Sequence, residues 1–552
     1  MDLHPRRSGS SCGRSTVLPG CIEEDGESYN HMAGIAMSNN LETQLSEYAK
    51  SPAYPFHMPG HKRIMNPMKP SSVTTVLAGA AEDSADSSAT DPLENHFPEN
   101  DESSSAKDPA SGIYALDITE IDGFDNLHDP QDILKAEMER AANLWGARKT
   151  WFSVNGSTCA ILAAISAAAA KGGRIHIERG CHMSVYHAAY LRELSLSYID
   201  PNSEEAQAVS EIPDGTVAVV ITSPSYEGAV RDIQLWANAA HEKGALLIVD
   251  EAHGAHLGFH PYFPESAVRL GADLVAQSTH KTLPAMTQTA LLHAASDRID
   301  TRKVDFFFDI YETSSPSYVL MASITAAVHL LEGQRQELFT DYARKLAKVR
   351  ARLSSLTHFS LDGESMADIS GEGRKRFDPG KLVIRIKHPG RRYLYEGSDI
   401  CPDGPWLYEL LRLKYHLQME MRAPDYVLAM TSIADTDEGF DRLACAMEEI
   451  DRALTLTDDE ERAEGAAGAG SALPACKMPL FEACEMKSEL VPLEQAAGRI
   501  ATDFVILYPP DAPLIVPGEE FNINLIQAIL SYRESGFQII GTDDNRVLCA
   551  EI

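Results

Sequence analysis

The chain has 552 residues, with 48 Lys and Arg against 81 Asp and Glu, for a formal net charge of −33. Hydrophobic residues make up 44% and charged residues 23%, a globular composition long enough for roughly three or four domains of about 150 residues. So large an excess of acid is repelled by phosphate backbones, which argues against nucleic-acid binding, and without a run of about 18 apolar residues no membrane-spanning helix is expected.

Residues 1–36 are rich in Ser, Gly and Arg and show no periodicity, so they are expected to be a disordered tail or a stretch preceding the true start at Met37. Arg6, Arg7 and Arg14 are not followed by an apolar stretch, so no secretory signal is expected. The nine cysteines are dispersed without a Cys-x-x-Cys pair, which suits reduced thiols in a cytoplasmic protein and not a disulfide frame or a zinc site. Met37, Leu41, Leu45 and Tyr48 have the spacing of a short amphipathic helix, opening an N-terminal segment over 37–78. Residues 79–112 carry Glu82, Asp83, Asp86, Asp91, Glu94, Glu99, Asp101, Glu102 and Asp108 against Lys107 alone, and read as an acidic insertion with too little apolar surface to offset its ordering entropy.

Helical and strand patterns then alternate. Helices are predicted over 133–144, 159–170, 184–191 and 235–242, and strands over 150–154, 174–178, 217–221, 245–249, 274–276 and 289–293. Short apolar strands separated by helices predict an α/β fold with a mostly parallel, doubly wound sheet, here spanning 113–325. Residues 326–457 read as a smaller α+β domain, 458–475 as an acidic and then Gly/Ala-rich linker, and 476–552 as a C-terminal domain.

Ligands of such sheets bind beyond the carboxyl ends of the strands. Three predicted loops lie there. Asn155-Gly156-Ser157-Thr158 offers N–H groups and hydroxyls suited to a phosphate, although an ordinary helix cap would use the same residues. Asp250-Glu251-Ala252-His253-Gly254 places a carboxylate at a strand end, where it could meet a protonated ring nitrogen, a ribose or a metal. The ligand spacing, with His253 and His256 three apart, is poor for a metal, and none is expected. Ser278-Thr279-His280-Lys281 places a lysine among small polar residues, as a Schiff-base lysine requires. The order of the three is that of a pyridoxal 5′-phosphate site.

Longer stretches carry a more specific likeness. They are Pro55-Phe56-His57-Met58-Pro59-Gly60-His61-Lys62, Asp117-Ile118-Thr119-Glu120, Asn155 to Thr158, Ile221-Thr222-Ser223-Pro224-Ser225-Tyr226, Asp250 to His256, and Gln277-Ser278-Thr279-His280-Lys281-Thr282-Leu283. Thr313-Ser314-Ser315-Pro316-Ser317-Tyr318, Phe377-Asp378-Pro379-Gly380-Lys381-Leu382 and Tyr508-Pro509-Pro510 leading to Pro517-Gly518-Glu519 extend it. On these residues the chain resembles the bacterial ornithine/lysine/arginine decarboxylases, fold-type-I pyridoxal phosphate enzymes related in fold to aspartate aminotransferase, over about residues 40 to 530. The resemblance implies Lys281 as the cofactor lysine, Asp250 as the partner of the ring nitrogen and His182 as the histidine on the ring face. It implies Ser157, Thr158, Ala252, Ser278 and His280 as further cofactor contacts. Ser314 and Ser315 would reach the phosphate of a neighbouring subunit, implying a homodimer or larger assembly.

The early position of the Pro55–Lys62 motif suits the shorter branch without an N-terminal receiver-like domain, and by analogy arginine over lysine or ornithine as substrate. The usual Pro-Pro-Gly-Ile-Pro stretch is Pro509-Pro510-Asp511-Ala512-Pro513 here, Met183 stands where Lys is common, and the acidic insertion separates two motifs. These departures bear on the substrate pocket more than on the cofactor site. A cationic substrate calls for an acidic pocket, with Glu519 and then Asp511 as the expected carboxylates. Transamination or aldol cleavage on the same fold, or a catalytically silent regulatory homologue, are the competing readings.

Overall fold

The computed structural model describes residues 54–56, 117–121, 124–200, 203–363, 377–457, 474–508 and 512–551. The predicted Met37 helix, the acidic insertion, His57 to Lys62, most of the 458–475 stretch and Asp511 lie outside the described residues.

At the centre is a seven-stranded sheet. Its strands are β2 (Lys149–Ser153), β3 (Arg174–Glu178), β4 (Ser195–Ile199), β5 (Thr216–Thr222), β6 (Leu246–Asp250), β7 (Leu274–Gln277) and β8 (Ala290–Ala294), in the order β2-β8-β7-β6-β5-β3-β4. The pairs from β7 through β6, β5 and β3 to β4 are parallel, and β8 runs antiparallel to both β7 and β2. The sheet is therefore mostly parallel, as its apolar strands predict. β5, β6 and β7 read Thr-Val-Ala-Val-Val-Ile-Thr, Leu-Leu-Ile-Val-Asp and Leu-Val-Ala-Gln, and nearly every residue is buried. Such runs fit strands covered on both faces, where each fully buried Val, Ile or Leu contributes about 1.5–3 kcal/mol relative to exposure.

Helices α1 (Ile133–Trp145), α2 (Gly156–Ala168), α3 (Met183–Leu191) and α4 (Ile233–Glu242) cover the sheet, followed by the short α5 (Thr279–Thr282) and by α6 (Thr301–Tyr311). α2 begins at Gly156, three residues before the predicted helix, so Ser157 and Thr158 lie in its first turn. The edge strand β4, Ser-Leu-Ser-Tyr-Ile, escaped the sequence reading because its alternation is half polar.

The 37-residue helix α7 (Tyr318–Ser354) leads into a second layer. There β9 (Phe359–Leu361), β10 (Lys381–Ile386), β14 (Met421–Arg422) and β15 (Tyr426–Met430) form an antiparallel sheet, and α8 (Asp437–Ala453) packs against α7. β1 (Tyr54–Phe56) pairs in parallel with β13 (Leu417–Met419) of this half and buries Phe56 completely. The C-terminal residues build their own core around Val491, Val505, Phe521, Ile529 and Val547. Among the described residues no helix is long and apolar enough to cross a membrane.

Candidate active site

The carboxyl ends of β5, β6 and β7 form one edge. Asp250, the last residue of β6, is in register with Thr222 of β5 and Ala276 of β7. Asp250 is 5% exposed, and its Oδ1 accepts the Ala252 N–H at 3.1 Å. Ala252 is buried, and its carbonyl accepts the Ser278 N–H at 3.3 Å. The Asp250 loop and the lysine loop are thus tied backbone to backbone.

Lys281 sits on α5, the single turn after β7. That turn is pinned to the start of β8: Thr279 Oγ1 donates to Thr289 Oγ1 at 2.7 Å and His280 Nδ1–H donates to the Thr289 carbonyl at 2.8 Å. Burial lowers the Lys281 pKa, opposed by the carboxylates of Asp250 and Glu420. Burial likewise brings His280 down to about 4, so its ring is neutral near pH 7.

The N-terminus of α2 lies at the same end of the sheet. Gly156 has φ +75°, a conformation that favours glycine. Ser278, fully buried, donates its hydroxyl to Ser157 Oγ at 2.9 Å, so the first and third predicted loops meet. Thr158 is exposed in the first turn. Glu312, to which the sequence reading assigned no role, holds this loop: its Oε2 accepts from Ser153 Oγ, the Val154 N–H and the Asn155 N–H at 2.9, 3.0 and 3.3 Å.

His182 is exposed and caps α3. Its Nδ1 accepts the Ser184 N–H at 3.2 Å and lies 2.8 Å from Ser184 Oγ, which leaves the proton of the neutral ring on Nε2. His182 is close enough to the buried His253 to help depress the pKa of that ring.

Four further residues, His253, Lys381, Tyr226 and Glu420, gather beside Lys281. His253 Nε2 lies 3.0 Å from Lys281 Nζ, and its Nδ1 lies 2.6 Å from Lys381 Nζ. Its ring is 4.7 Å from that of Tyr226, whose hydroxyl donates to Glu420 Oε1 at 2.5 Å. Lys381, the first residue of β10, is 1% exposed. It can approach because residue 228 is glycine at φ +112°: a Cβ there would lie 2.9 Å from Lys381 Cγ. The Asp378–Lys381 stretch stood among the matching motifs, yet a lone lysine heading an apolar strand carries no signal of its own role.

Two of the residues weighed from the sequence have partners inside the fold. Glu519, expected to face a substrate cation, is 2% exposed and paired with Arg179, Nη2 to Oε2, at 2.8 Å. The same Oε2 accepts the Val516 N–H at 2.8 Å. His256, weighed with His253 as a possible metal ligand, instead meets Asp378 Oδ1 at 3.1 Å, while His253 meets the two lysines. Ser314 and Ser315 are exposed on the loop after α6.

The residues present fit pyridoxal 5′-phosphate. A desolvated amine, a buried carboxylate at a strand end, an exposed imidazole and a hydroxyl-lined helix N-terminus are gathered at one edge of the sheet, matching the aldehyde, ring nitrogen, ring face and phosphate of that group.

The Orn/Lys/Arg decarboxylase major domain matches residues 110–368, and the Orn/Lys/Arg decarboxylase C-terminal domain matches residues 475–539. The arginine decarboxylase of Bacillus subtilis (strain 168) is 27% identical over 518 residues, covering 92% of this chain and 96% of that protein. The uncharacterized protein YaaO of the same organism is 32% identical over 450 residues, covering 78% of this chain and 87% of its own. Among solved structures, the Francisella novicida lysine decarboxylase LdcF superposes with a TM-score of 0.65 at 17% identity, over 79% of this chain and 74% of that one. This last likeness speaks to the fold alone.

Proposed function

The chain belongs to the Orn/Lys/Arg decarboxylase family, and from that premise we propose that it removes the α-carboxylate of a basic L-amino acid, arginine foremost, to give CO2 and the corresponding amine. The observation that carries the reading is the half-buried Lys281 beside the Asp250 strand end, within one hydrogen-bonded set of loops. Pyridoxal 5′-phosphate, when bound, supplies an electron sink for the bond that breaks.

The residues divide the remaining work. Lys281 would hold the cofactor through its amine. Asp250 favours a protonated ring nitrogen by charge. His182 would cover the ring face and hold or give a proton at Nε2. Ser157, Thr158, Ser278 and His280 would hold the phosphate. A homodimer belongs to the same reading: Ser314 and Ser315 are exposed, and α6 just before them shows Phe306 and Ile310 at 58% and 53% exposure.

Arginine is favoured by the named arginine decarboxylases that align over almost the whole chain. Holoenzyme incubated separately with arginine, lysine and ornithine tests this. Agmatine with CO2 is the expected product. Cadaverine or putrescine would change the substrate, and a keto acid or an aldehyde would replace the reaction class.

A further inference from the structure

His253 is a buried imidazole held between two lysine amines, at 3.0 Å from Lys281 and 2.6 Å from Lys381. Burial, then Lys281, Lys381, His182 and His280, push its pKa well below the usual histidine range, so the ring is neutral. A neutral imidazole offers one N–H and one lone pair, and an ammonium offers donors only. Two ammonium groups therefore cannot both hydrogen-bond to this ring. One of the lysines must present a lone pair to the imidazole N–H, and the three side chains share a single extra proton.

We propose that Lys381 is a positioning residue that takes this proton through His253 and so leaves the Lys281 amine free to react with the cofactor aldehyde. The Lys281 ammonium gives a proton to His253 Nε2, and His253 gives its Nδ1 proton to the Lys381 lone pair. The imidazole is neutral before and after with its tautomer exchanged. One positive charge moves from Lys281 to Lys381, and no bond between heavy atoms changes.

Carboxylates surround the Lys381 end of this path and support the charge once it arrives there. Lys381 is faced by Asp378 from the turn before β10, by Glu420 from between β13 and β14, and by Glu227 from the segment after β5, while burial and Lys281 act against its charge. The balance sets its pKa at about 8, lowered chiefly by burial. Lys281 is faced by Asp250 and Glu420. Asp250 is also the acid assigned to the ring nitrogen, so its hold on the Lys281 charge weakens when that cation is present.

The inference rests on Lys281 being the cofactor lysine. The full-length enzyme, stripped of cofactor and re-supplied with pyridoxal 5′-phosphate, is followed by the return of its visible absorbance from about pH 6 to about pH 10, across the lysine range. In the wild type the rate should rise with a midpoint below the ordinary lysine value of about 10.4. Lys381→Met has similar volume and cannot accept a proton. It should raise the midpoint by about one unit, slowing uptake about tenfold at neutral pH and little at the alkaline end. His253→Gln should do the same, and the double variant no more than either single one.

Lys381→Arg keeps the charge but cannot take the proton, and should not restore the wild-type profile. Restoration by arginine would reduce Lys381 to a like-charged neighbour and overturn the relay. So would unshifted midpoints, a slowing equal at every pH, or a wild-type midpoint at the ordinary lysine value. Absence of any visible band in the wild type would instead remove the reading of Lys281 itself.

Discussion

Under the proposed function, Asp250 shows how much chemistry would rest on one side chain at a strand end. Its carboxylate is 5% exposed at the last residue of β6, and its Oδ1 also orders the loop through the Ala252 N–H. Replacing it by Asn keeps shape and polarity but removes the charge proposed to favour a protonated ring nitrogen. Asp250→Asn is expected to retain visible cofactor absorbance while kcat falls roughly 10²–10³-fold, the usual cost of losing one preorganised electrostatic partner. Lys281→Ala should lose both the visible band and turnover while its melting temperature stays close to that of the wild type. Spectra and steady-state rates on the two variants check this. Near-normal turnover in either would remove that residue from the chemistry.

At the scale of elements, Arg179 joins the end of β3 to the C-terminal residues. Its guanidinium donates to the Pro513 carbonyl at 3.1 Å, the Leu514 carbonyl at 3.4 Å and Glu519 Oε2 at 2.8 Å, while Tyr186 Oη lies at 3.2 Å. Burial pushes the Glu519 carboxyl up, and Arg179 opposes that shift. Removing one member of such a pair strands the other charge in the interior, at a cost of about 3–5 kcal/mol. Glu519→Leu should therefore lower the urea midpoint strongly and leave KM for the amino acid almost unchanged in the folded fraction. Denaturation curves together with KM separate the two roles. A large rise in KM with an unaltered midpoint would return Glu519 to the substrate pocket.

For the molecule as a whole, the acidic stretch offers the broadest test. Nine acids against one lysine between Glu82 and Asp108 leave little apolar surface to bury. Loop-closure entropy changes by only about 0.6 kcal/mol per doubling of length, so shortening the connection should be tolerated. Deleting 82–108 is expected to preserve the wild-type melting transition and specific activity. Loss of soluble, active protein would show that the segment supports the fold.

Much of this arrangement is written locally. Apolar runs such as Leu246–Val249 announce buried strands because burial on both faces needs continuous hydrophobicity. Polar residues directly after such runs announce a site because strand ends open onto the crevice. Asp250, Ser157, Ser278 and Lys281 were legible on those grounds together with the family resemblance. The opposite direction of β8 and the edge strand β4 were not, since direction leaves no mark on composition and a half-exposed strand resembles a loop. His253 and Lys381 are 128 residues apart, and Arg179 and Glu519 are 340 apart. Sequence alone determined which groups are available. Only the tertiary fold decided that one lysine is dry and shares a histidine with another, and that Glu519 already has its cation. Partnership and desolvation arise where distant segments return to the same place, and no local pattern records them.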